Sequence, residues 1–165
     1  MAILIDGFNL IYKFPELEEM MYLNRLSEAR TGLLDKLKEY FQITGVHIRV
    51  VFDGKKEQGL NIKSERDGVI DVYFSLEYSA DFLIKQFIRN DINPRMTTVV
   101  TSDKDIINYV SRYKAKVRTS EDFARLLNET ITRWYENQIP EKDDNPVLSK
   151  EEISFWENLF KKNKK

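Results

Sequence analysis

Ala2-Ile3-Leu4-Ile5-Asp6-Gly7 decides the fold: four apolar residues in a row, then an acid and a glycine. An apolar run this short, closed by a turn signal, reads as a strand buried on both faces of a parallel sheet. Val46-His47-Ile48-Arg49-Val50-Val51-Phe52 repeats the pattern and stops at Asp53-Gly54. Residues 69–74 and 97–101 follow it, the latter ending at Ser102-Asp103.

Helical spacing fills the gaps. Over 27–41, Ala29, Leu33, Leu34, Leu37, Tyr40 and Phe41 recur at helical intervals, with Gly45 as the stop. Gly32 inside that helix costs about 1 kcal/mol relative to Ala. From Ser79 onward, Ala80, Leu83, Ile84, Phe87 and Ile88 form one stripe that ends before Asn93-Pro94. Residues 103–112 carry Ile106, Ile107 and Val110, and 115–118 read as a short edge strand. Thr119-Ser120-Glu121-Asp122 is a capping box opening a helix with Phe123, Leu126, Leu127, Ile131 and Trp134 on one face. Strands alternating with helices predict an α/β domain with a mostly parallel sheet. The expected division is a domain over 1–137, a polar linker over 138–148, and a last helix with a basic tail over 149–165. Ser149-Lys150-Glu151-Glu152 is the capping box that opens this helix.

Composition narrows the chemistry. At 165 residues, with 42% hydrophobic and 12% aromatic, the chain is one domain with enough apolar mass for a core. Lys plus Arg is 26 and Asp plus Glu is 27, a net charge of −1, so any nucleic-acid surface must be a local patch. The absence of cysteine and the single His47 remove thiolate zinc sites, cysteine nucleophiles and two-imidazole chemistry. No apolar run approaches the ~20 residues of a membrane span. Met1 to Leu10 carries Asp6 and does not read as a signal peptide, so a cytoplasmic domain with no membrane partner is expected. Carboxylates, hydroxyls, Lys and Arg are what remain.

In open parallel sheets, ligands bind outside the carboxyl ends of the strands. Asp6, Asp53 and the pair Asp103 and Asp105 fall at such ends, and Asp81 falls in the first turn of the helix after 69–74. Clustered anions repel unless a cation neutralises them, and a hard oxygen donor set selects Mg²⁺ or Mn²⁺. Each acid also has a plain structural reading. Asp81 complements a helix dipole behind a Ser79 cap, Ser102-x-x-Asp105 is a capping box, and Asp53-Gly54 is a turn. Asp6 has no evident capping role. The five acids Asp6, Asp53, Asp81, Asp103 and Asp105 are the candidate ligands of such an ion.

Ile3-Leu4-Ile5-Asp6-Gly7-Phe8-Asn9-Leu10-Ile11 resembles the opening of the NYN domains of the PIN-like nuclease superfamily, most closely their YacP-like branch. The resemblance runs on through Phe14-Pro15-Glu16-Leu17, Leu26-Ser27-Glu28-Ala29-Arg30, Val50-Val51-Phe52-Asp53-Gly54, Glu77-Tyr78-Ser79-Ala80-Asp81 and Val99-Val100-Thr101-Ser102-Asp103. It implies a three-layer α/β/α sandwich and a metal-dependent ribonuclease, some members of the branch being ribosome-associated endoribonucleases. It also implies that Asp6, Asp81 and Asp103 are the metal-binding acids and that Asn9 stands beside them. On that footing Asp105 is expected as a further metal ligand, Asp53, Ser79 and Ser102 behind the ligands, and Asn9 with the two hydroxyls to orient ligands or substrate phosphate. Two positions depart from the branch: Lys85 stands where Glu is frequent, and Ile107 where Gln is frequent.

For RNA contact the sequence offers Lys55, Lys56, Lys63 and Arg66, in what reads as a loop, and Lys104 among the acids. Lys161 to Lys165 form a basic terminus. Arg30 reads as a surface ion-pair partner, His47 as packed at a strand start, and Phe123 and Trp134 as core. A catalytically weak RNA- or ribosome-binding module is the competing reading. Phosphoacceptor and dehalogenase-type phosphatase sites would need a further acid near Asp6, where Gly7 and Phe8 stand, and there is no P-loop.

Overall fold

The computed structural model describes residues 1–56, 63–139 and 150–163. Six strands form one sheet: β1 (Ala2–Asp6), β2 (His47–Asp53), β3 (Ser64–Asp67), β4 (Ile70–Ser75), β5 (Thr97–Val100) and β6 (Lys116–Arg118). Their order is β3-β4-β2-β1-β5-β6. All pairs are parallel except β3 with β4.

Period-two alternation sends side chains to both faces of the sheet. Ile3, Ile5, Ile48, Val50, Phe52, Ile70, Val72, Phe74 and Val100 face one core. Helices α1 (Gly7–Ile11), α2 (Pro15–Tyr22), α3 (Leu26–Thr44) and α6 (Ser120–Asn137) cover it. Leu4, Val51 and Val99 face the other, under α4 (Ala80–Arg89) and α5 (Lys104–Ser111). This is the three-layer α/β/α sandwich. Leu4 and Ile5, adjacent in sequence, are fully buried in opposite cores. Truncating either to Ala costs about 2–5 kcal/mol.

Helix ends follow the sequence signals. Gly45 closes α3 in the left-handed region at φ 70°. Ser79 caps α4 and Thr119 caps α6, each through its side-chain oxygen. At Gly32 the absence of a Cβ matters for space, because Leu17 of α2 occupies the place a methyl group would take. A seventh helix, α7 (Lys150–Asn163), sets Trp156 and Leu159 across a hollow from Lys36 and Glu39 of α3 and Ile131 and Tyr135 of α6. Among the described residues no helix is long and apolar enough to cross a membrane. Residues 140–148 of the expected linker, Ser149 of the last capping box, and Lys164 and Lys165 lie outside the described residues.

Several expectations need correction. The segment holding Lys63 and Arg66 is not a loop throughout: Ser64–Asp67 is an antiparallel edge strand on β4. Ser-Glu-Arg-Asp carries no apolar alternation, so its strand state comes from the ladder that β4 offers. The Arg30 guanidinium also meets aromatic rings, lying 5.1 Å from the ring centre of Phe74 and 5.9 Å from that of Phe52. His47 opens β2 but is half exposed, its Nε2 3.2 Å from Asp71 Oδ2. Phe123 is core, whereas Trp134 is 41% exposed.

Candidate active site

Asp6 ends β1 and is the N-cap residue of α1, yet its side chain makes no capping bond. Gly7 lets the start of α1 sit hard against β2, where a Cβ would collide with the Phe52 ring. Asp6 Oδ2 instead accepts a 3.0 Å hydrogen bond from the Thr101 hydroxyl. Thr101, fully buried, also accepts the Asp103 N–H at 3.1 Å, so one hydroxyl ties both acids to the end of β5.

Asp103, not Ser102, is the cap of α5, accepting from the N–H groups of Asp105 at 2.8 Å and Ile106 at 3.4 Å. The expected Ser102-x-x-Asp105 box fails because Ser102 is held elsewhere. Its N–H donates to Asn9 Oδ1 at 3.0 Å, and its hydroxyl donates to Glu121 at 2.6 Å while accepting the Ser120 N–H. Asn9 Oδ1 also accepts the Ser120 hydroxyl at 2.6 Å, so Asn9 clamps α1 to the starts of α5 and α6. Lys13 lies 2.6 Å from Glu121. Together with the Ser102 hydroxyl and the backbone N–H, it holds the Glu121 carboxyl at about 2, below its ordinary 4.5.

Across the cleft, Asp81 lies in the first turn of α4. Lys85, one turn on, stands 3.1 Å from Asp81 Oδ1 and 2.6 Å from Asp105 Oδ2. That ammonium holds the Asp105 carboxyl below its ordinary range, and the two carboxylates, Asp105 foremost, raise Lys85. Asp81 Oδ1 is buried and has no hydrogen bond, for the Lys85 contact is off the bonding direction.

One cleft of about 290 Å³ is lined by Asp6, Asn9, Asp53, Ser79, Asp81 and Asp103, with Phe8, Tyr12, Ala80 and Ile106. Four elements thus deliver four carboxylates to one place. Asp53 ends β2 and accepts the Lys55 N–H at 3.1 Å, a turn and a cleft residue at once. Asp105 and Ser102 do not line the cleft; Asp105 holds Lys85, which pairs with Asp81, and the Ser102 N–H donates to Asn9. Among the described residues, no three acids close on a single point as ligands of one ion. Of the basic candidates, Lys104 opens α5 exposed and makes no ion pair among the described residues. Lys55 and Lys56 lie in the short turn Gly54–Lys56, Lys63 precedes β3, and Arg66 Nε is 3.6 Å from Asp71. Lys56's side chain is outside the described residues. Thr101 and Ser120 escaped sequence reading; for Thr101 the signal was a hydroxyl closing an otherwise apolar strand.

An acid-lined cleft at the carboxyl edge of a mostly parallel sheet, inside an α/β/α sandwich, is the arrangement expected of a PIN-like nuclease domain. The chain belongs to the YacP-like NYN domain family, whose model matches residues 3–161. Domains of this family are generally nucleases, which implies a nuclease-type function on RNA. The Bacillus subtilis (strain 168) protein YacP is 29% identical over 157 residues, 92% of this chain and 91% of the relative. The crystal structure of Rae1 (YacP) from Bacillus subtilis superposes with a TM-score of 0.69 at 27% identity, covering 99% of this chain and 92% of that one. A single-residue mutant of the same protein gives 0.69 at 28% identity, covering 94% and 92%.

Proposed function

We propose that this protein is a metal-dependent endoribonuclease that hydrolyses RNA phosphodiester bonds in the acid cleft. The observation that carries the reading is the convergence of Asp6, Asp53, Asp81 and Asp103 on one cleft from four separate elements. Like charges so gathered are costly without a counter-ion. The donor set fits a hard cation: it is all oxygen, and Asp81 Oδ1 is a buried acceptor with no hydrogen bond.

Asp6, Asp81 and Asp103 would hold Mg²⁺ or Mn²⁺, with water completing a shell that few protein oxygens reach directly. Bound there, the ion would lower the pKa of a coordinated water and offset charge building on the phosphorus oxygens. The chain's own residues do the positioning. Thr101 fixes Asp6 and the start of α5 together, Asn9 locks α1 against Ser102 and Ser120, and Asp53 adds negative charge to the floor. Asp105 anchors Lys85, and the N-terminus of α4 at Ser79 turns backbone dipoles toward a phosphate. Lys55, Lys56, Lys63, Arg66 and Lys104 are the RNA contacts in this reading.

The test is Mn²⁺-dependent cleavage of end-labelled single-stranded RNA by the wild type and by Asp6→Asn and Asp103→Asn. Both variants should lose cleavage while melting as the wild type does; undiminished cleavage by both overturns the reading. Ribosome association is a finer part of the proposal, resting on resemblance to the branch. Faster cutting of ribosome-bound than of free mRNA supports it, and equal rates remove it. One observation favours a second reading, a catalytically weak RNA- or ribosome-binding module: Lys85 already neutralises Asp81 and Asp105. A Mn²⁺ titration that shows no binding dependent on Asp6 selects that module.

A further inference from the structure

Tyr78 and Phe82 are 59% and 41% exposed, large rings left in water beside the cleft. They are not splayed at random. The rings stack on each other, centres 4.6 Å apart and planes at 28°. Ser79, between them in sequence, accepts the Phe82 N–H at 3.1 Å, so the first turn of α4 sets their spacing. Next to them is a mainly apolar hollow of about 270 Å³, lined by Lys63, Tyr73, Phe74, Leu76, Tyr78 and Leu83 among others. The hollow and the acid cleft share that helical turn, because Ser79, Ala80 and Asp81 line the cleft. Lys63 is fixed at the rim, its carbonyl accepting the Phe74 N–H at 2.8 Å.

Resting on the nuclease reading, we propose that Tyr78, Phe82 and this hollow hold an unstacked base of single-stranded RNA next to the acid cleft. The occupant follows from the chemistry. A nucleotide pairs an apolar π-face with an anionic phosphate, and here an aromatic, apolar surface adjoins one exposed lysine and a helix N-terminus. A duplex keeps its base faces stacked inside, so the surface selects single strands. Rings already ordered against each other lose little freedom on binding.

The test measures anisotropy of a labelled single-stranded RNA on the full chain in an Asp6→Asn background, where the RNA is not cut. Tyr78→Ala and Phe82→Ala should each weaken binding on the order of tenfold, and Tyr78→Trp should retain it. An RNA with abasic positions should bind the starting protein and both Ala variants alike, and a blunt duplex should show no dependence on the pair. Wild-type cleavage combined with unchanged affinity of both Ala variants overturns the subsite and leaves the nuclease reading standing. Binding that needs the two rings, with no cleavage by wild type, keeps the subsite and overturns the nuclease. Absence of both overturns both.

Discussion

On the wall formed by β1 and β5, Asp6 takes a hydrogen bond from Thr101 and Asp103 takes two from the α5 backbone. On the α4 wall, Asp81 and Asp105 share the ammonium of Lys85. Neutral donors orient a carboxylate and leave its charge in place; a lysine orients and neutralises together. In the proposed site, a metal ion approaching the second wall would have to displace the Lys85 ammonium from Asp81 and Asp105.

The largest effect expected from breaking this contrast is on turnover. Asp6→Asn or Asp103→Asn should lower RNA cleavage by at least about 10²-fold. Asparagine caps helices as well as aspartate does, so Asp103→Asn should leave the melting temperature nearly unchanged. A large thermal loss instead would make Asp103 a structural cap first.

Next in size, Thr101→Val removes a buried hydroxyl that serves two partners and should cost about 1–3 kcal/mol in a urea melt. Unchanged stability would mean the first wall is not held by Thr101.

Lys85→Met sharpens the comparison from the other side. It should raise Mn²⁺ affinity about tenfold by calorimetry while stability moves by no more than about 1 kcal/mol. Equal or weaker Mn²⁺ binding would show that Lys85 supports the site rather than competing in it.

The smallest effect is at the periphery. Glu121, lowered to about 2 by Lys13 and Ser102, contributes stability that is whole above 4.5 and fades as pH falls through about 2. Its side chain is half exposed, so solvent keeps the contribution below about 1 kcal/mol. The melting difference between wild type and Glu121→Gln should be present at pH 7 and narrow below pH 4.5. A constant difference would sever Glu121 from the network.

What could be read from the chain was what repeats locally. The doubly buried strands ending in Asp6 and Asp53, the α3 stop at Gly45 and the caps at Ser79 and Thr119 each carry their signal within a few residues. Illegible parts depend on distant partners. β3 exists through β4, Arg30 reaches over rings on β2 and β4, and Ser102 is pulled from capping by Asn9 and Glu121. The acids of the cleft were visible one at a time; the ammonium that ties one of them, Asp81, to Asp105 was not, since Lys85 and Asp105 are twenty residues apart.

The Asn9 clamp has a consequence for synthesis. Its two partners stand 93 and 111 positions further along, and the Thr101 bond to Asp6 spans 95. A chain still emerging from its exit tunnel can pair β1 with β2 early, but it lacks the groups that fix Asp6 and Asn9 until the start of α6 is free. Long-range closures of this kind come slowly. The network around Asp6 and Asn9 thus closes only once the chain has been made as far as Ser120.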